Sequence, residues 1–164
     1  PVALPVPAGV REAVSIVSTQ ELYDAVLSRC AAQDVIIQAA APADYRPGSV
    51  SSQKIKKQAG EGMALTLVEN PDIAAAVGLQ KKPGQILVGF AAETENLLEN
   101  AEKKLEKKSL DLIVANDVTK PGAGFGTDTN IAALITRDGV TERPLQTKMQ
   151  LADDILDLVM QLKK

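Results

Sequence analysis

Histidine is absent from the 164 residues, which removes the commonest general base, the usual serine and cysteine triads and the commonest metal ligand. Whatever chemistry the chain performs must run on lysine, aspartate, asparagine and backbone groups. Tryptophan is absent too, and two tyrosines and two phenylalanines leave little on which to stack bases. A single cysteine, Cys30, excludes an intrachain disulfide and a cysteine-based zinc motif. It falls inside a helical pattern, so a buried structural thiol is expected. Positive charge is not in excess: the net charge of −3 argues against nucleic acid as a partner, because that binding rests on a positive field. No apolar run approaches the roughly 18 residues of a membrane span, and the first residues lack the basic and apolar regions of a signal peptide. The expectation is a cytoplasmic chain with no membrane partner.

With 45% hydrophobic and 24% charged residues, the chain has the balance of one globular domain over 1–164 that buries a real core. Apolar runs of strand length alternate with helix-period segments, the signature of a parallel sheet covered by helices. Strands are expected at 14–17, 34–41, 64–68, 85–91, 110–115, 130–136 and 140–144. The run VIIQAAA at 35–41 is near-continuously apolar, as in a strand buried on both faces. Ser18 and Glu21 form a capping box that opens a helix, whose buried face is Leu22, Val26, Leu27 and Cys30. Asn70, Pro71 and Asp72 read as N-cap, first helical residue and dipole-favoured acid. Further helices are expected at 94–108 and 148–162, the latter burying Leu151, Ile155, Leu158, Val159 and Leu162. Asp138-Gly139, a dipeptide preferred in tight turns, joins the last two strands as an antiparallel hairpin. The expected class is therefore α/β, a Rossmann-like three-layer fold with a mostly parallel, mixed sheet and a C-terminal antiparallel hairpin. The opening PVALPVPAGV reads as a connecting segment with no strand before it, so an N-terminal part is expected to be missing.

Ligands of doubly wound sheets sit at the carboxyl ends of the strands, which directs attention to four segments. After VIIQAAA, the loop 42–57 carries Asp44 and the lysines 54, 56 and 57. Such a loop suits a polyphosphate and its magnesium ion, or is simply a solvated polar loop. The turn at 70–73 presents free backbone amides for a base edge or anion, or is an ordinary cap. Phe90, among small residues, is either core filler or a wall against a base. On the helix from 94, Leu97, Leu98, Ala101 and Leu105 form the apolar stripe at about 100° per residue. Lys104 and Lys108 fall on its edge, within reach of phosphates or favoured there by the helix dipole. Lys103 and Lys107 point the other way. The glycine-rich stretch 122–130 does not match the dinucleotide fingerprint, since a strand rather than a helix follows. No Walker A sequence occurs, and a flexible flap or interface loop fits better.

Taken in order, AAAPADYRP, KIKK, NPDI, VGFAAET, the helix ending in paired lysines, DLIVANDV and GAGFGTDTN resemble the bacterial phosphopantothenoylcysteine synthetase family. The blocks cover nearly all of the chain. The resemblance implies that CTP, with Mg2+, activates the carboxylate of 4'-phosphopantothenate as an acyl cytidylate, and that cysteine then displaces CMP, in coenzyme A biosynthesis. It implies that Gln38, Ala39 and Ala40 contact the nucleotide and that Asp44 binds it near the loop start. Lys54 would meet the phosphates as the catalytic cation. Pro71, Asp72, Ile73 and Ala74 would frame the cytosine beside Phe90, and Lys104 and Lys108 would complete the phosphate site; no metal-ligating residues are assigned. It further implies a homodimer sharing the 4'-phosphopantothenate site, and flavin (FMN) only where a decarboxylase domain is fused upstream. Pro42 departs from the small aliphatic residue expected there. The N-terminal part expected to be missing carries, in the family, a glycine-rich turn and an asparagine needed for the acyl-cytidylate step. A chain beginning at Pro1 is then expected to bind CTP without full turnover. Two other readings remain at this point: a non-catalytic nucleotide-binding or dimerisation module, and a nicotinamide-dependent Rossmann oxidoreductase, which the missing GxGxxG disfavours.

Overall fold

The computed structural model describes residues 5–57, 60, 62–93, 97–123 and 126–163. It contains α1 (Thr19–Cys30), β1 (Val35–Gln38), β2 (Tyr45–Pro47), β3 (Leu67–Glu69), α2 (Ile73–Gln80) and β4 (Ile86–Glu93). These are followed by α3 (Leu97–Lys107), β5 (Leu112–Asp117), β6 (Thr129–Thr136), β7 (Gly139–Thr147) and α4 (Lys148–Leu162). The main sheet runs β1-β4-β5-β6-β7. It is parallel from β1 through β5 and antiparallel from β5 through β7, so the α/β class with a late hairpin holds.

The strands bury alternate residues on opposite faces, and the faces meet different helices. Leu87, Ala91, Ile113, Ala115, Ala133 and Ile135 pack with residues of α1, α2 and α3. Ile86, Val88, Leu112, Val114, Ala132 and Leu134 pack with Leu151, Ile155 and Val159 of α4. Three layers result. The capping box of α1 is present, Glu21 N–H donating to Ser18 Oγ at 3.2 Å and Ser18 N–H to Glu21 Oε2 at 3.1 Å. The Val17 N–H donates to the same carboxylate at 2.6 Å. Leu22, Val26 and Leu27 are partly buried and Cys30 is buried as a free thiol.

Several sequence expectations are corrected. Residues 14–17 form no strand; Val14 is 45% and Val17 96% exposed, because no neighbour offers them a ladder. The run at 34–41 gives only the four residues of β1, which among the described residues pairs with β4 alone. As an edge strand it leaves Ile37 42% exposed and is not buried on both faces. The loop at 42–57 contains β2, which pairs antiparallel with β3 in a separate two-stranded sheet. The strand expected at 64–68 is therefore shorter, shifted and outside the main sheet. Asp72, not Asn70, caps α2, accepting from Ala75 N–H at 3.1 Å. Asn70 is consumed elsewhere: its Nδ2 donates to Ala43 O at 2.8 Å and its Oδ1 accepts from Arg46 at 3.1 Å. The hairpin turn falls on Arg137-Asp138, with Thr136 opposite Gly139. Gly139 has φ 145°, a backbone region that only glycine enters readily.

The helix expected at 94–108 ends as a helix at Lys107. Its residues 94–96 and the side chain of Leu97 lie outside the described residues, as do Gly124 and Phe125 of the glycine-rich stretch. Ala101 and Leu105 are buried, while Leu98 is 42% exposed. Helix α4 covers 148–162 as expected, opened by a second capping box between Thr147 and Gln150.

Candidate functional site

The carboxyl ends of β1 and β4 and the N-terminus of α2 converge on a cleft of about 370 Å³, within the size range of ligand pockets. Its position follows from topology. Parallel strands deliver their last residues to one end of the sheet, and the helix that returns from that end begins there. Gln38 and Ala40 arrive on the chain leaving β1, with Asp44 shortly after; Pro71 and Asp72 precede α2 and Ile73 and Ala74 open it; Phe90 comes from β4. Lys104 and Lys108, at the C-terminal end of α3, form the opposite wall. Gly89, Ala91, Asn70 and Leu110 also line it. Asn70, read in sequence as the cap within the 70–73 turn, is thus also a lining residue.

Not every expected residue lies there. Ala39 borders a smaller cavity of about 250 Å³ on the α4 side, with Phe90, Asn116 and Asn130. Lys54 sits in an exposed segment without regular structure and is not among the residues lining the cleft. Phe90 belongs to both cavities, and its side chain packs against the core beneath α4.

Charge in the cleft is organised around Asp72. Its carboxylate accepts from the Ala75 N–H and pairs with Lys108 Nζ at 3.1 Å. Partial burial pushes this carboxyl up, but the Ala75 N–H, the Lys108 ammonium and the nearby Lys107 outweigh it, so its pKa lies below the ordinary value. The α2 N-terminus adds backbone amides and the positive end of the helix dipole. Gln38 contributes an unmet need, since its Oε1 is buried with no hydrogen-bond partner among the described residues. A buried acceptor of this kind calls for a donor, and a ligand N–H can supply one.

A second network lies beneath the cleft and carried no motif in the sequence. Lys81 Nζ donates to Asp111 Oδ2 at 2.6 Å and to Ser109 O at 2.9 Å. Asp111 Oδ2 also accepts from the Leu87 N–H at 2.7 Å. The carboxylate thus extends the β4–β5 ladder by one bond before β5 begins. On the other face, Asn130, 6% exposed, donates to Asn116 Oδ1 at 3.0 Å.

Among the described residues no group of three or more acidic, histidine or cysteine side chains is placed to hold a metal. Magnesium rarely needs such a cage, being bound through one or two carboxylates together with substrate phosphates. Asp44 in the cleft meets that requirement, whereas Asp72 is occupied by Lys108. No helix among the described residues is long and apolar enough to cross a membrane.

Residues 1–162 match the family described as DNA/pantothenate metabolism flavoprotein C-terminal domain. The chain is 46% identical over 165 residues to the coenzyme A biosynthesis bifunctional protein CoaBC of Bacillus subtilis (strain 168), covering 100% of this chain and 40% of that protein. Against the protein of the same name from Escherichia coli (strain K12) it is 44% identical over 159 residues, covering 96% of this chain and 39% of the other. It therefore spans about two fifths of the length of these relatives. The crystal structure of the C-terminal domain of a CoaBC superposes with a TM-score of 0.79 at 39% identity, covering 99% of this chain and 72% of that one.

Proposed function

The chain belongs to the DNA/pantothenate metabolism flavoprotein C-terminal domain family, and from that premise and the cleft we propose that it is the ligase part of a cytoplasmic coenzyme A biosynthesis enzyme. In this reading it uses CTP to join 4'-phosphopantothenate to cysteine through an acyl cytidylate. The observation that carries the proposal is the convergence of the α2 N-terminus, Gln38, Lys104 and Lys108 on one cleft at the carboxyl ends of β1 and β4.

The α2 N-terminus and Gln38 hold the base: the orphaned Gln38 Oε1 accepts an N–H of its exocyclic amine, and the residues 71–74 supply backbone groups. Lys104 and Lys108 hold the phosphates, and Lys54 meets them from its exposed segment when the nucleotide is bound. A carboxylate oxygen of 4'-phosphopantothenate attacks the α-phosphorus, forming the acyl–phosphate bond as the α–β bridge breaks and pyrophosphate leaves with the electron pair. The cysteine amine then attacks the acyl carbon, CMP departs, and the ammonium proton is lost to solvent. Both steps depend on positioning and on cations that offset developing negative charge. Neither needs a protein nucleophile, which agrees with a chain that has no histidine. Magnesium, where bound by Asp44 and the phosphates, neutralises the nucleotide's charge.

The separate β2–β3 sheet supports the homodimer in the same proposal. Tyr45 and Leu67, on one face of its ladder, are 54% and 51% exposed. Exposed apolar side chains on one sheet face suit an interaction surface.

Calorimetric titration of the chain with CTP and magnesium, with ATP as competitor, tests the assignment. Selective CTP binding that Lys54→Gln and Lys104→Ala both weaken is the expected result. Equal binding of ATP, or CTP binding indifferent to both substitutions, removes the assignment.

A further inference from the structure

Lys108, whose ammonium pairs with Asp72 at 3.1 Å, lies where α2 packs closely against the end of α3. Lys108 is the C-cap of α3. The Leu110 N–H donates to Leu105 O at 2.9 Å and the Ser109 N–H to Glu106 O at 3.1 Å. That pair of bonds is a Schellman closure, with Leu105 and Leu110 buried in the same core cluster, and it requires a left-handed residue directly after the cap. Ser109 fills that position at φ 51°, the one non-glycine residue at positive φ among the described residues. Glycine usually stands there, because a Cβ crowds this backbone region.

Helix α2 meets the same turn at three points. A Cβ added at Gly78 would lie 2.0 Å from Lys108 O, 2.9 Å from Lys108 C and 3.3 Å from Ser109 Cβ, so no other residue fits without moving backbone. Lys81 Nζ donates to Ser109 O at 2.9 Å. Asp72, six residues before Gly78, pairs with Lys108 Nζ at 3.1 Å. Glycine within a helix and serine in a left-handed turn are each locally unfavourable. Here they face each other behind a lysine that lines the cleft.

We infer that Gly78 and Ser109 are positioning residues that seat the Lys108 ammonium at the cleft, so that the α2–α3 contact sets how tightly a nucleoside triphosphate is held by its outer phosphates. The inference rests on the nucleotide reading of the cleft. Neither residue touches the ligand. Both act through the place they give Lys108, and their effect is confined to the phosphates beyond the first.

The test compares binding of CTP and CMP, with magnesium, to the full chain and to Gly78→Ala. The expected result is CTP binding weakened by about tenfold or more while CMP binding changes by less than about twofold. Ser109→Val, a β-branched residue that resists positive φ, reproduces this split, and Ser109→Gly, which keeps the turn, does not. Val159→Ala, on the α4 face, supplies a variant of comparable thermal destabilisation in which the CTP-to-CMP ratio stays at the wild-type value. Parallel loss of both nucleotides in Gly78→Ala and Ser109→Val, or no loss, overturns the inference. A second readout needs no ligand: the NMR titration midpoint of the Asp72 carboxyl rises in Gly78→Ala as Lys108 draws away, and an unmoved midpoint overturns the seat. If the wild-type chain binds no CTP, the nucleotide reading falls, and that midpoint decides the seat by itself.

Discussion

Asp72 and Lys108 stand 3.1 Å apart, joining the N-cap of α2 to the C-cap of α3 across the wall of the cleft. One carboxylate therefore does two things: it closes the first turn of a helix and pairs with a cation that lines the cleft. The two roles separate by substitution. Asp72→Asn keeps a capping oxygen and loses the charge, whereas Asp72→Ala loses both. Loss of a cap costs about 1 kcal/mol, so urea unfolding is expected to show that deficit for Asp72→Ala and little for Asp72→Asn. Equal deficits would mean that the ion pair, not the cap, supplies the stability.

Acid should weaken the fold through the same group. The folded-state pKa of Asp72 is depressed, by the balance of burial against the Ala75 N–H and the neighbouring lysines. Glu21 is depressed by the Val17 and Ser18 N–H groups. A carboxylate with a lowered folded pKa stabilises fully above its unfolded pKa and loses that contribution as pH falls through the folded value. The melting temperature is thus expected to be level near neutrality and to drop below the ordinary carboxylate range. Glu21→Gln flattens part of that drop. A melting temperature that rises on acidification contradicts it.

Gln38 carries a buried oxygen without a partner among the described residues, and an unmet acceptor costs about 1–3 kcal/mol. Gln38→Met, similar in volume and without the acceptor, is expected to stabilise the ligand-free chain by about 1 kcal/mol and to weaken its binding of CTP. Thermal melts with and without nucleotide check both halves. Stabilisation accompanied by unchanged CTP affinity places the base elsewhere.

Asp111 serves Lys81 and the Leu87 N–H together, with side-chain exposures of 15% for Lys81 and 23% for Asp111. Removing one partner leaves a mostly buried charge and a ladder N–H unmet, so Asp111→Ala should cost roughly 3 kcal/mol. Lys81→Met with Asp111→Leu should recover much of it. A double variant as unstable as the single one shows that the pair itself, not the orphaned charge, matters.

The parts of this fold legible in sequence are those where local chemistry and period agree. Helix α4 is an example: Thr147 and Gln150 box its start, and Leu151, Ile155 and Val159 recur at helical spacing into the core. The β2–β3 sheet is the opposite case. Each strand has three residues, all exposed, so no alternation marks it, and its pairing spans 20 to 24 residues. At the cap of α2, Asn70 and Asp72 carry equivalent chemistry, and the choice falls to Asp72 because Asn70 is bound to Ala43 and Arg46. The cleft was legible in outline, since strand ends and motif residues from five segments meet there. Lys54 was not, because an exposed loop lysine has no packing constraint to fix its place. The Lys81–Asp111 network was invisible because neither residue stands in a pattern with the other.

The sheet order has a kinetic side. In β6 and β7 the strands pair across two turn residues, Thr136 facing Gly139, so their ladder closes a very short loop. The β1–β4 ladder joins Val35 to Ile86 and cannot form until the intervening chain is gathered in, a closure whose entropy slows folding. The hairpin is therefore expected to form early, and the cleft, between elements that meet only once the intervening chain is gathered in, to be assembled late. Amide exchange should follow that order, fastest around β1 and slowest in β5 and β6, and a bound nucleotide, by bridging the chain after β1 to α2 and α3, would protect the half that closes late.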